Sequence, residues 1–100
     1  MNIDPRKLQH TYAKHATDFG ITGPWNAANE ALLQQAIRTH VAEPTTVRSI
    51  GTFRGTITVN HYVNPSNDLW VAVDTADEFV AGWKLSAAQK SHLLGSGNIQ

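Results

Sequence analysis

The sequence predicts an α+β fold, with two N-terminal helices packed on a four-stranded antiparallel sheet and a short C-terminal helix closing the chain. Three observations carry that reading. Apolar residues recur about every 3.6 positions as far as Val41 and about every 2 positions from Thr45 onward. Clusters of glycine, proline and asparagine cut the second half into short β-branched or aromatic runs. The connections between those runs are too short for a parallel crossover, which takes about a dozen residues, so sequential strands must be antiparallel neighbours.

The first helix runs from Pro5 to about Ala16. Proline suits its first turn, because the ring fixes a helical φ and the missing N–H would have no partner there. Leu8, Tyr12, His15 and Phe19 define an inner stripe, while Arg6, His10 and Lys14 repeat at i, i+4, i+8 on another. Asp18 to Pro24 holds two glycines and a proline and reads as a loop. The second helix runs from about Asn26, a side chain that can cap free N–H groups, to Val41, and Pro44 stops it. Four strands follow, at Thr45–Ile50, Thr56–Val63, Leu69–Asp74 and Glu78–Trp83. In the second, Ile57, Val59, His61 and Val63 share one face and Thr58, Asn60 and Tyr62 the other. Ser86 caps a last helix that ends near Leu94, before Gly95.

At 100 residues the chain is the size of one domain, and 41% hydrophobic content is enough for a core. The absence of cysteine excludes a disulfide scaffold, a zinc ribbon and a thiol nucleophile. No apolar run is long enough to cross a bilayer, and the polar N-terminus does not read as a signal peptide. Net charge is zero, yet Arg6, Lys7 and Lys14 crowd the first 15 residues against Asp4 alone, while Asp68, Asp74, Asp77 and Glu78 cluster without a base. That asymmetry can orient a charged partner. It is also within the ordinary scatter of a small domain.

No phosphate loop, dinucleotide fingerprint or paired metal-ligand spacing is present, and the five histidines are spread over four elements with no acidic partner at ligand spacing, so no metal site is expected. What is left is acid–base chemistry beside positive charge. His15 is the leading candidate, since imidazole can take and give a proton near neutral pH. It follows Lys14, whose ammonium can hold a phosphate. Its place on the Leu8/Tyr12 stripe equally suits a hydrogen-bonded core histidine. His61, alternating with Ile57 and Val59, suits a buried role, and His40, at a helix C-terminus, a structural one. Trp83 in Gly82-Trp83-Lys84 offers an indole beside a cation, the pairing that stacks on an unpaired nucleotide, or else a plug between sheet and helix. Arg54, in Gly51-Thr52-Phe53-Arg54-Gly55, is either a phosphate contact on a loop tip or a solvated turn residue.

Lys14-His15-Ala16-x-Asp18-Phe19-Gly20-Ile21, Gly51-Thr52-Phe53-Arg54-Gly55, His61-Tyr62 and Ala81-Gly82-Trp83-Lys84-Leu85-Ser86 occur in an order that resembles colicin D-like toxin domains. These are the C-terminal nuclease domains of colicin D and of related contact-dependent growth-inhibition and polymorphic toxins. The resemblance spans about Lys7 to Gly97 and implies a small toxin-ribonuclease fold. It implies a metal-independent endoribonuclease without cofactor that cuts the anticodon loop of tRNA and so inhibits translation. It further implies a cognate immunity protein, expected to be acidic, and a larger secreted carrier that delivers the domain to the target-cell cytoplasm.

By the same resemblance His15, Lys14 and Trp83 form the catalytic set. Of the remaining cations, histidines and aromatics beside that set, Arg6, Lys7, His10, Arg54, His61, Tyr62 and Lys84 are the expected substrate-binding residues. Two positions depart from the family pattern: its serine is Ala81 here, and an earlier lysine of its basic cluster is Tyr12. Two other readings stay open at this point. One is a catalytically weak protein-binding domain that kept the fold, and the other is a ribonuclease acting on rRNA or mRNA.

Overall fold

The computed structural model describes residues 1–99. Helix α1 spans Pro5–His15, and Asp4 caps it by accepting from the Arg6 amide at 2.8 Å. A 3-10 helix follows at Ala16–Phe19, closed by Gly20 in the left-handed region at φ 77°. Helix α2, Ala27–Ala42, begins where the Asn26 side chain accepts from the Asn29 amide at 2.9 Å. Strands β1 (Val47–Phe53), β2 (Ile57–Val63), β3 (Leu69–Asp74) and β4 (Phe79–Lys84) form the predicted antiparallel meander. Helix α3 covers Ala87–Ser96, capped reciprocally by Ser86 and Gln89.

Three features differ from the sequence-based expectation. The sheet has five strands in the order β4-β3-β2-β1-β5, because Asn98–Ile99 returns as β5 parallel to the end of β1. Two residues are too few to carry a periodicity, so this strand is defined only by its long-range pairing. Residues 16–19, partly assigned to a loop, are helical. Helix α3 runs through Gly95 and ends at Gly97, whose φ of 77° makes the left-handed stop.

Both faces of the sheet are covered. On one, Leu8 and Tyr12 of α1 and Leu33 and Ile37 of α2 pack against Val71, Val73 and Phe79. On the other, Phe53, Val59, Val63, Trp70 and Ala72 are closed over by Leu85, Leu93 of α3 and Ile99 of β5. The sheet curls around this second core. Here the Phe53 and Trp83 ring centroids are 6.1 Å apart. The curl is what brings the tip of the β1–β2 turn round to face β4 and α1.

The acidic segment is largely absorbed by local structure. Asp74 accepts from the Ala76 and Glu78 amides in the β3–β4 turn, Asp77 pairs with the N-terminal ammonium at 3.0 Å, and Asp68 pairs with Lys90 at 2.7 Å.

Candidate functional site

Two adjacent stripes of α1, Arg6/His10/Lys14 and Lys7/Thr11/His15, form one wall of a cleft of about 590 Å³. Phe53 and Arg54 from the β1–β2 turn, Val80 to Trp83 from β4 and Gln89 from α3 complete it. The cations at the end of α1 lie beside its free carbonyls, where the helix dipole favours positive charge.

His15 is where the α-helical path breaks, at φ −136° and ψ 13°. The tighter helix that follows carries Asp18 back to the ring, with Asp18 Oδ2 3.4 Å from His15 Nδ1. The same oxygen accepts from the Lys84 backbone N–H at 3.0 Å, so β4 fixes the carboxylate. Both side chains stay about a third exposed, at 31% and 28%. The His15 ring also lies 5.4 Å from the Trp83 indole, inclined at 34°. The imidazole is neither a sealed core residue nor a free surface one. A carboxylate faces its Nδ1, an aromatic flanks it, and it opens on the cleft.

Trp83 is a plug between the sheet and α3, and it also leaves surface on the cleft. Its indole packs on Trp70 at 4.5 Å and near Phe53, and its Nε1 donates to Gln89 Oε1 at 3.4 Å. Its remaining surface lines the cleft. Arg54 sits at the turn with φ 55°, its guanidinium 5.1 Å from the Phe53 ring. That stacking extends the cation along the cleft wall.

Arg6, Lys7, His10, Lys14, His15, Arg54 and Trp83 therefore share one cleft. Lys84 does not line it; its side chain is exposed at the end of β4, and its contribution is the backbone N–H that anchors Asp18. His61 and Tyr62 are corrections to the substrate-binding set. His61 is wholly buried, and its Nδ1 accepts from Trp70 Nε1 at 2.9 Å while Nε2 has no well-formed partner. Burial lowers its pKa below the ordinary histidine range, against a smaller opposing effect of the Thr52 and Gly97 carbonyls. Tyr62 points to the opposite face, against the helices. Alternation along one strand separates faces, but only the curl decides which residues of a face reach the cleft.

His40 is likewise structural. Its Nε2 lies 2.8 Å from the Tyr62 carbonyl, and burial lowers its pKa against that hydrogen bond. Asp18, Thr11 and Gln89 escaped the sequence reading. The i, i+3 spacing of His15 and Asp18 across a helix end is the one signal that could have found the first. Among the described residues no group of three His, Cys, Asp or Glu side chains is close enough to hold a metal ion, and no helix is long and apolar enough to cross a membrane.

Comparison with known proteins adds to this geometry. The colicin D family model matches residues 7–93. The chain belongs to the colicin D family. A solved structure of a ribonuclease from Escherichia coli complexed with its inhibitor protein has a similar fold, with a TM-score of 0.81 and 32% identity. That match covers 92% of this chain and 99% of the other. No curated protein matches the chain. The matched region of this colicin D domain contains every cleft residue except Arg6. The departures at Tyr12 and Ala81 fall in different places: Ala81 lines the cleft, whereas Tyr12 is buried beneath α1 and donates its hydroxyl to the Gly23 carbonyl at 2.7 Å.

Proposed function

We propose that this colicin D domain is a toxic, metal-independent endoribonuclease that cuts the anticodon loop of tRNA in the cytoplasm of target bacteria. The observation that carries the reading is the His15 imidazole, held between Asp18 and Trp83 and opening on a cleft walled by Arg6, Lys7, Lys14 and Arg54. Family membership and the resemblance to a ribonuclease support the same direction.

In the proposed reaction the ribose 2′-OH attacks the adjacent phosphorus. The O2′–P bond forms and the P–O5′ bond breaks, leaving a 2′,3′-cyclic phosphate and a 5′-OH. No protein nucleophile is needed, only proton transfer and charge stabilisation. With Asp18 facing Nδ1, the ring carries its proton there and presents Nε2 as the base. The carboxylate then faces the imidazolium that forms. Lys14 and Arg54 stabilise charge on the phosphorane-like transition state, and Trp83 stacks on a splayed nucleotide of the loop. Arg6 and Lys7 track the backbone, which makes affinity salt-dependent.

An acidic immunity protein that places carboxylates over Lys14 and Arg54 would compete with phosphate for the same cations. Its role here is proposed on the inhibitor-bound state of the similar ribonuclease. Delivery as part of a larger secreted carrier belongs to the same proposal.

The test is to treat total RNA with the purified domain in EDTA and map the 5′-OH ends. Wild type should cut within anticodon loops. His15→Ala should lower the rate by about 10²–10⁴-fold with an unchanged circular dichroism spectrum. Cuts confined to rRNA or mRNA would overturn the substrate, and a His15→Ala variant cutting at the wild-type rate would overturn the site. Absence of any cutting by wild type would favour a binding domain.

A further inference from the structure

The proposed reaction needs a second proton-transfer group, because O5′ leaves as an alkoxide unless something protonates it. The cleft narrows the choice by composition. No aspartate or glutamate lines it. Its other polar side chains are the cations Arg6, Lys7, Lys14 and Arg54, the hydroxyl of Thr11 and the amide of Gln89. None of those gives up a proton readily near neutral pH. Two imidazoles do, and both are there: His15 and His10.

We propose that His10 is the general acid that protonates the leaving O5′, an assignment that rests on the ribonuclease reading above. Both histidines are on α1, five positions apart, which is about 7.5 Å along the axis and about 140° around it, so they enter the cleft from different directions. An in-line displacement places O2′ and O5′ on opposite sides of phosphorus. The base and the acid must therefore approach the phosphate from different sides. His10 sits on the more open stripe between Arg6 and Lys14, whereas His15 is the one with a carboxylate partner. The division of labour follows. His15 Nε2 takes the 2′-OH proton as the O2′–P bond forms, and protonated His10 gives its proton to O5′ as the P–O5′ bond breaks. The charged groups around His10 are Arg6, Lys7 and Lys14 on its own helix and Arg54 across the cleft.

The experiment uses two synthetic stem–loop RNAs that differ only at the bond wild type cuts. One has the natural bridging oxygen and the other a 5′-bridging sulfur, which leaves as a thiolate without protonation. His10→Ala is an exposed helix position changed to the best helix former, so the fold should persist. It should cut the oxygen RNA at least about 100-fold more slowly than wild type, lose the alkaline limb of the pH–rate profile, and cut the sulfur RNA within about 10-fold of wild type. His15→Ala should be slow on both. Equal losses of His10→Ala on the two RNAs, expressed in KM, would make His10 a backbone contact and overturn the assignment. Rescue of His15→Ala by sulfur would reverse the roles and overturn it equally. If wild type cuts neither RNA, the ribonuclease reading itself fails; if wild type cuts and His10→Ala matches it on oxygen, only the assignment of His10 falls.

Discussion

Replacing Gly51 by alanine tests how the C-terminal strand closes the second core. Gly51 lies within β1, not in the hairpin turn its glycine suggested; the turn is made by Arg54 and Gly55 at positive φ. A Cβ on Gly51 would overlap the Gly97 carbonyl oxygen outright, and would lie 2.8 Å from the carbonyl carbon and 3.1 Å from His61 Nε2. Backbone on one side and a buried ring on the other leave no flexible group to yield, so Gly97 must move away. That move pulls on β5, whose attachments are the Arg54 N–H donating to the Ile99 carbonyl at 2.7 Å and Asn98 Oδ1 accepting from the Thr52 N–H at 3.0 Å and from its hydroxyl. Losing these three bonds at about 1 kcal/mol each, with partial exposure of Ile99 worth about 1–2 kcal/mol, predicts a destabilisation of about 4–5 kcal/mol. Urea unfolding followed by tryptophan fluorescence measures it. Amide exchange at Thr52 and Arg54 should rise with it. A variant within about 0.5 kcal/mol of wild type, with both amides still protected, would refute the close packing of Gly51 on Gly97.

Two further outcomes follow from the same contacts. Asp18→Asn keeps an oxygen for the Lys84 N–H but removes the charge facing His15, so RNA cleavage should fall by about 10–10³-fold while the thermal midpoint moves by only a few degrees; a wild-type rate would remove Asp18 from the mechanism. His40 and His61 are both held neutral by burial, with folded pKa values below the unfolded ones, so the unfolded chain binds protons first as pH falls. Stability should be full above about pH 6.5 and decline below it by up to about 1.4 kcal/mol per pH unit for each ring. His40→Gln should flatten that decline in urea titrations at a series of pH values; an unchanged slope would refute the role of His40.

The helices, the four main strands and their caps were legible because each is a local pattern. Asn26, Ser86 and the Leu33/Ile37 stripe do in the fold what their spacing requires. The strand β5, the curl of the sheet and the burial of His61 were not, since each depends on contacts between segments far apart in the chain. The cleft shows the same division. Arg6, Lys7, His10, Lys14 and His15 belong together on one helix and could be grouped from spacing. That Arg54 joins them follows only from the way β1 curls toward β4, whereas Tyr62 is kept out by the strand alternation that turns it to the helix side. Asp18 lies in the motif that carries the family resemblance, yet its bond to the β4 backbone cannot be read from a glycine-rich loop.

Tyr12 and Ala81, where the resemblance leads to the expectation of a lysine and a serine, have unequal physical consequences. A lysine at position 12 would put an ammonium where Tyr12 is 7% exposed, packed edge-on to Trp25 at 5.2 Å and bonded to the Gly23 carbonyl. The tyrosine instead ties α1 to the segment leading into α2, which helps hold the helix face that carries the cleft. The charge given up there is available on Arg6, Lys7 and Lys14, one or two turns along the same helix. Ala81 lies in the cleft wall itself, one residue from Gly82 and two from Trp83, and of the neutral donors left there Thr11 is buried and Gln89 is bonded to Trp83 and Ser86. Stabilisation of the transition-state phosphate therefore falls on charge rather than on a neutral donor, and Lys14 and Arg54 must supply it. Restoring the hydroxyl with Ala81→Ser should raise the cleavage rate several-fold by adding one short hydrogen bond to the phosphate, with little change in KM. A rate that does not rise would mean that the cations already saturate the phosphate oxygens, and that charge alone does in this cleft what a hydroxyl at position 81 would add.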